Sequence, residues 1–170
     1  PRGAGTLFSW KEAGGTFDVP SNMSNDFSPG QGYIVYAFED EDYKTPGIQG
    51  GFPKVINTNS SESDDTITVP VSATDNAKDG ITDDEGWNML GNPFSVTISA
   101  KEVLKALENV DASVNANIYV WNHEKNGGNG DWVLKTEDDL IEPYQGFFIR
   151  FTSAFESTEV SFQKNSLSAS

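Results

Sequence analysis

The chain contains no cysteine and a single histidine, His123. The first absence excludes a disulfide framework, a thiolate zinc site and thiol catalysis. The second excludes a histidine-rich metal site and leaves little for a Ser–His mechanism. Basic residues are scarce: 11 Lys and Arg stand against 26 Asp and Glu, for a net charge of −15. Such a chain lacks the basic face that displaces counterions from phosphates, so nucleic acid is not an expected partner. The same charge opposes docking on an anionic membrane surface. No apolar run approaches the roughly 20 residues of a membrane-spanning helix, so insertion by a helix is not expected. Hydrophobic residues amount to only 36%, yet 11 Phe, 5 Tyr and 4 Trp are present. Each such ring buries about 150–250 Å², so a few of them replace many aliphatic side chains. Sixteen Gly and 8 Pro lie between short apolar runs, the composition of short strands joined by tight turns.

The chain repeats itself. Leu7-Phe8-Ser9-Trp10 is matched by Ile118-Tyr119-Val120-Trp121, 111 positions later. A polar, glycine-containing turn follows each, and then an aromatic residue, Phe17 or Trp132. Pro29-Gly30-Gln31-Gly32-Tyr33-Ile34-Val35 is echoed, 114 positions on, by Pro143-Tyr144-Gln145-Gly146-Phe147-Phe148-Ile149. Each copy reads as strands: alternation around Phe8 and Trp10 has the period of two of a half-buried strand. The nearly continuous apolar runs Tyr33–Phe38 and Phe147–Ile149 suit central strands covered on both faces. Trp10 and Trp121 are accordingly expected as paired core residues. Glycine at 32 and 146 is expected to let the backbone turn.

Further strands are expected at 52–56, 66–71 and 158–162. One helix is predicted over 99–109, with Ser99 at its cap, Glu102 three residues on, and Val103, Leu104 and Leu107 as its apolar stripe. The expected fold is all-β and β-sandwich-like, with two pseudo-repeated lobes and one short helix. The first, partial repeat spans 1–74, an acidic linker loop 75–85, and the second repeat 86–170. The start Pro1-Arg2-Gly3 reads as that of a processed or partial chain.

Gly86-Trp87-Asn88-Met89-Leu90-Gly91-Asn92-Pro93-Phe94, then Ile118–Trp121 and Pro143–Ile149, resembles a repeat β module of large secreted surface proteins. These proteins are exported by the type nine secretion pathway of Gram-negative bacteria. The resemblance covers the second copy fully and the first from Thr6 onward. It implies an extracellular or outer-cell-surface location and a multidomain parent. It also implies a non-catalytic structural or adhesive role beside other domains or copies of the same protein, including as the subunit of an extracellular filament. The sorting signal expected at the end of such proteins is not found in the polar tail Lys164–Ser170. A carbohydrate-binding module attached to a polysaccharide-degrading enzyme is the alternative, with polysaccharide as the partner.

Three features are candidate sites. The 75–85 loop concentrates Asp75, Asp79, Asp83, Asp84 and Glu85 around Gly80. Oxygen-rich loops of this kind suit calcium, which takes six to eight oxygens, although the spacing departs from the EF-hand pattern. Calcium is thus the one cofactor expected, and it would stabilise the module. Trp132, Trp87 and Tyr144 are candidates for stacking on sugar rings, set against the plainer reading that they fill the core. Paired carboxylates such as Asp138-Asp139 would suit glycoside hydrolysis only if they faced each other across a cleft. No catalytic residue is assigned. Asn22-Met23-Ser24, Asn59-Ser60-Ser61 and Asp65-Thr66-Ile67 match short glycosylation patterns, hints of surface loops.

Overall fold

The computed structural model describes residues 7–19, 27–36, 65–76, 81, 85–111, 113–114 and 117–167. The strands expected at 52–56 and both Asn-linked glycosylation patterns lie outside the described residues. Within them the fold is all-β and sandwich-like. Eleven strands run in order: β1 Leu7–Lys11, β2 Thr16–Asp18, β3 Tyr33–Val35, β4 Thr66–Ala73, β5 Trp87–Gly91, β6 Ile98–Ser99, β7 Ile118–Asn122, β8 Asp131–Lys135, β9 Leu140–Ile141, β10 Gly146–Arg150 and β11 Phe155–Gln163. They form antiparallel sheets of order β2-β1-β3 and β5-β10-β7-β8, and the pairs β4–β11 and β6–β9. The one sizeable helix, α1, spans Ala100–Glu108, and a four-residue α2 covers Lys164–Leu167.

Strand pairing reproduces the spacing seen in the repeat. In the first unit Phe8 pairs with Ile34, Ser9 with Tyr33, and Trp10 with Phe17. In the second, Tyr119 pairs with Phe148, Val120 with Phe147, and Trp121 with Trp132. Both hairpins turn through a 3-10 segment, Glu12–Gly14 and Asn126–Gly128. The equivalence stops at burial. Phe147–Ile149 is buried in a central strand, whereas β3 has three residues and leaves Val35 half-exposed. Glycine at 32 serves a close approach rather than a turn: a Cβ there would stand 2.5 Å from the Leu90 carbonyl oxygen. The Gly32 N–H donates to Met89 O (3.1 Å) and Gly91 N–H to Gly30 O (2.9 Å), so the chain entering β3 is stitched to β5.

One contiguous core joins the two halves of the chain. Ile67, Val69, Val71 and Ala73 point inward from β4 in strict alternation with more exposed neighbours. They meet Val160 and Phe162 of β11, the apolar stripe of α1, and the inner face of the four-stranded sheet, where Leu90, Ile118, Val120, Phe147 and Ile149 lie. Because β4 pairs with β11 from Thr66–Gln163 to Ala73–Phe155, segments 1–74 and 86–170 share this core. Helix α1 follows its predicted span, but the Ser99 side chain makes no capping bond. The Ala100 N–H donates instead to Asp139 O at 3.1 Å.

The Trp-Asn-Met-Leu-Gly-Asn-Pro segment owes its composition to two buried amides. Asn88 Oδ1 accepts from Ser72 N–H (3.1 Å), while its Nδ2 donates to Ser72 O (2.7 Å) and Gly86 O (3.2 Å). The side chain thereby completes the backbone pairing that β4 and β5 do not make directly. Asn92 Nδ2 donates to Val96 O (2.8 Å) and Glu142 O (2.9 Å), and its Oδ1 accepts from Phe94 N–H (3.0 Å). Satisfied in this way, the buried Asn92 amide fixes where the 94–96 loop and the β9–β10 turn sit; unsatisfied, it would cost about 1–3 kcal/mol per group.

Asp139 gives the fold an acid-sensitive turn. Its carboxylate accepts from Thr136 N–H (2.8 Å) and Thr136 Oγ1 (3.1 Å). These bonds, led by the backbone one, hold its pKa below the ordinary value. A carboxyl whose pKa is depressed by folding stabilises the fold fully above its unfolded value, about 3.9, and loses that contribution as pH falls through the folded pKa. The stability difference between the protein and its Asp139→Asn variant is therefore expected to be constant above about pH 5 and to shrink below about pH 4. Denaturant melts across this range read it, and a difference that does not change with acidification refutes it.

Candidate aromatic groove

The four-stranded sheet has a second apolar face, opposite the core. Alternation along its strands places Trp87 and Met89 of β5, Phe148 of β10, Tyr119 and Trp121 of β7, and Trp132 and Leu134 of β8 on that side. The first repeat unit folds over part of it. Trp10 and Phe17 pack edge-on against Phe148, with ring centroids 5.1 and 6.1 Å apart, and Trp132 reaches the same ring at 5.1 Å. Edge-to-face pairs at these distances are each worth about 0.5–1.5 kcal/mol beyond their buried area. Phe148 is thus the hub on which the two units meet.

Glu12, in the turn between β1 and β2, locks this arrangement. Its carboxylate accepts from Ser72 Oγ (2.9 Å), Thr74 N–H (2.8 Å) and Thr74 Oγ1 (2.8 Å) on β4 and just beyond it. The Trp10 indole N–H donates to Trp87 O at 2.6 Å. One indole of the repeat is therefore half-buried and hydrogen-bonded.

Its counterpart is not. Trp121 is 49% exposed and Trp132 36% exposed, so the expectation of Trp10 and Trp121 as paired core residues fails. The same local pattern in each unit puts an indole on the same side of its sheet, but among the described residues only the first unit has another sheet lying against that side. Trp121 and Trp132 stand opposite each other at 5.3 Å with their planes at 71°, forming a corner of two indoles. Gly130 holds the corner: at φ +82° its Cα lies flat against Trp121, and a Cβ there would overlap the indole ring.

The corner opens into a groove of about 730 Å³ between the two units. Phe8, Phe17 and the 33–36 segment line one wall, Met89, Trp121 and Trp132 the other, and Asn129 and Gln145 supply polar groups. None of these side chains is charged at neutral pH. Among the described residues the indole N–H groups of Trp121 and Trp132 have no acceptor. Gln145 Oε1 accepts from Glu142 N–H (3.1 Å), which leaves its Nε2 to donate. Asn129 Nδ2 donates to Asn126 O (3.0 Å), which leaves its Oδ1 to accept.

Of the three aromatic candidates only Trp132 lines the groove. Trp87 lies on the same sheet face but packs against Tyr119 (5.4 Å) and Phe148 (6.2 Å), with the Arg150 guanidinium 5.8 Å from its ring centre. Those contacts make it a packing residue with a cation over its face. Tyr144 is 65% exposed on the turn before β10, in a left-handed conformation (φ +59°), and does not line the groove. Trp121, Phe17, Phe8, Tyr33 and Tyr36 are lining aromatics that were not among those candidates. The cross-strand register Trp121–Trp132 was the available signal.

Of the acidic loop, Asp75 and Glu85 are described; Asp79, Asp83 and Asp84 lie outside the described residues. Glu85 Oε1 accepts from Asn76 N–H at 3.1 Å, which brings the two ends of the loop together. The Asn76 amide donates to Ala13 O, tying the loop to the β1–β2 turn. His123 is exposed in the β7–β8 turn.

Neither a curated protein nor a solved structure matches the chain. A family match, however, runs from residue 2 to residue 132, across both the β1–β2 hairpin and the Trp121–Trp132 corner. The chain belongs to that family, described as a domain of unknown function (DUF8693).

Proposed function

We propose that this chain is a non-enzymatic adhesive module of a larger extracellular surface protein, and that its aromatic groove holds a carbohydrate chain. The observation that carries the reading is the half-exposed Trp121–Trp132 corner opening into a groove with no charged side chain among the described residues that line it. A folded chain gains free energy by burying indoles, so two left in one open groove mark a surface that another molecule covers. Pyranose rings offer apolar C–H faces to aromatic planes and hydroxyls to neighbouring amides, which is the combination present here. The extracellular location rests on the resemblance to secreted surface modules.

Pull-down on insoluble polysaccharides tests it. Specific retention is expected for the protein and is expected to be lost in Trp132→Ala and Trp121→Ala, with cooperative melting curves confirming that both variants fold. Equal retention of protein and variants sinks the reading.

A second reading, a filament subunit, is favoured by the packing of one repeat unit's aromatic face on the other's within the chain. A further copy could seat its own face on Trp121. Against this stands a charge of −15 per chain, which repels identical copies. Electron microscopy showing only dispersed particles ends the filament reading.

A further inference from the structure

We infer that the groove selects uncharged glycans over acidic ones, an inference that rests on the carbohydrate reading and names its ligand class. Among the described residues the polar side-chain groups of the groove are the donors Trp121 Nε1, Trp132 Nε1 and Gln145 Nε2, the acceptor Asn129 Oδ1, and the hydroxyls of Tyr33 and Tyr36. Donors and an acceptor of neutral character suit hydroxyls, which both give and take hydrogen bonds. A carboxylated or sulfated chain needs a cation to offset its desolvation, as charge-assisted pairs do. Among the described residues no Lys, Arg or His lines the groove, and the chain's net −15 raises the cost of bringing a polyanion near. Occupancy by a second copy of the chain meets the same repulsion. A neutral polysaccharide meets none.

The geometry also sets what each residue contributes. The 71° corner presents one indole face beneath a sugar ring and a second beside it, so loss of either indole removes a large share of the contact. Gln145 adds a single donor. Gln145→Glu keeps the oxygen that accepts from Glu142 N–H and replaces only the donor, so the turn should survive while the groove gains a negative charge.

Affinity electrophoresis in native gels tests the inference, with a panel of soluble neutral polysaccharides (β-glucan, xyloglucan, galactomannan) and acidic ones (alginate, polygalacturonate). Retardation is expected with at least one neutral polymer and none of the acidic ones, little changed between low and high salt. Trp121→Ala is expected to weaken it at least tenfold and Gln145→Glu several-fold, with melting temperatures confirming that each variant folds. Retardation by acidic polymers alone, abolished by salt, overturns the selectivity while leaving the groove as a carbohydrate site. Retardation by none, or retardation that Trp121→Ala leaves intact, overturns the carbohydrate reading itself. Concentration-dependent self-association that Trp121→Ala abolishes, without retardation by any polymer, assigns the groove to a second copy and overturns both.

Discussion

Asn92→Ala is expected to destabilise the protein by about 3 kcal/mol or more, the largest loss expected of a single side-chain truncation here. Asn92 is 2% exposed, and its amide serves three backbone groups, two in the adjoining 94–96 loop and one in the β9–β10 turn. Removing it leaves Val96 O, Glu142 O and Phe94 N–H without that partner, each at about 1 kcal/mol or more when water cannot reach them. For a chain of this size roughly 2–4 °C of melting temperature is lost per kcal/mol, so a fall of about 6–12 °C is expected. Asn92→Asp should be worse. It keeps an acceptor for Phe94 N–H but sets a buried negative charge against two carbonyl oxygens. Calorimetry or denaturant melts decide the matter. A loss below about 1 kcal/mol for the alanine variant would show that solvent satisfies these groups, and the rigid link between β5, the 94–96 loop and the β9–β10 turn would have to be abandoned.

Gly130→Ala should have the largest effect on binding for the smallest change of mass. The residue sits at φ +82°, where a Cβ is strained whatever the available space, at about 1–2 kcal/mol. The added methyl would also occupy the place where the Trp121 indole now rests, so the ring must swing away from Trp132. The fold should persist, because residues 126–129 are exposed and the turn contributes no buried side chain. The carbohydrate corner should not. At least a tenfold loss of polysaccharide retention is expected, equivalent to about 1.4 kcal/mol, together with altered tryptophan fluorescence. Gly127→Ala is the matched control, since that glycine also has positive φ (+67°) but a Cβ there touches nothing. Equal retention for the two variants would mean that the placement of Trp121 is irrelevant to binding.

Both predictions depend on features that a one-dimensional reading sees only in part. The Gly-Asn-Pro segment stood out by its composition, but whether the Asn92 amide also reaches a second loop depends on Glu142, 50 residues away. Trp87 was a sugar-stacking candidate because it is a tryptophan in a conspicuous segment; it packs against Phe148 because β10 runs beside β5. The calcium expectation drew on local acidity at 75–85, a property that says nothing about where the oxygens point.

What the amino-acid sequence determined by itself was the local order. It set the two matched strand–turn–strand units and their cross-strand register, the inward alternation of β4, and the span of α1. These follow from periodicity and turn chemistry, which act between neighbours along the chain and need no knowledge of the rest. What the tertiary structure decided was which of two equivalent aromatic faces is covered. Periodicity tells on which side of a strand a side chain lies, not what is packed against that side. Trp10 and Trp121 occupy equivalent positions in equivalent hairpins. The first is held against Phe148 and Trp87 because Glu12 ties its hairpin to β4. Among the described residues no sheet lies over the second, and the groove follows from that asymmetry.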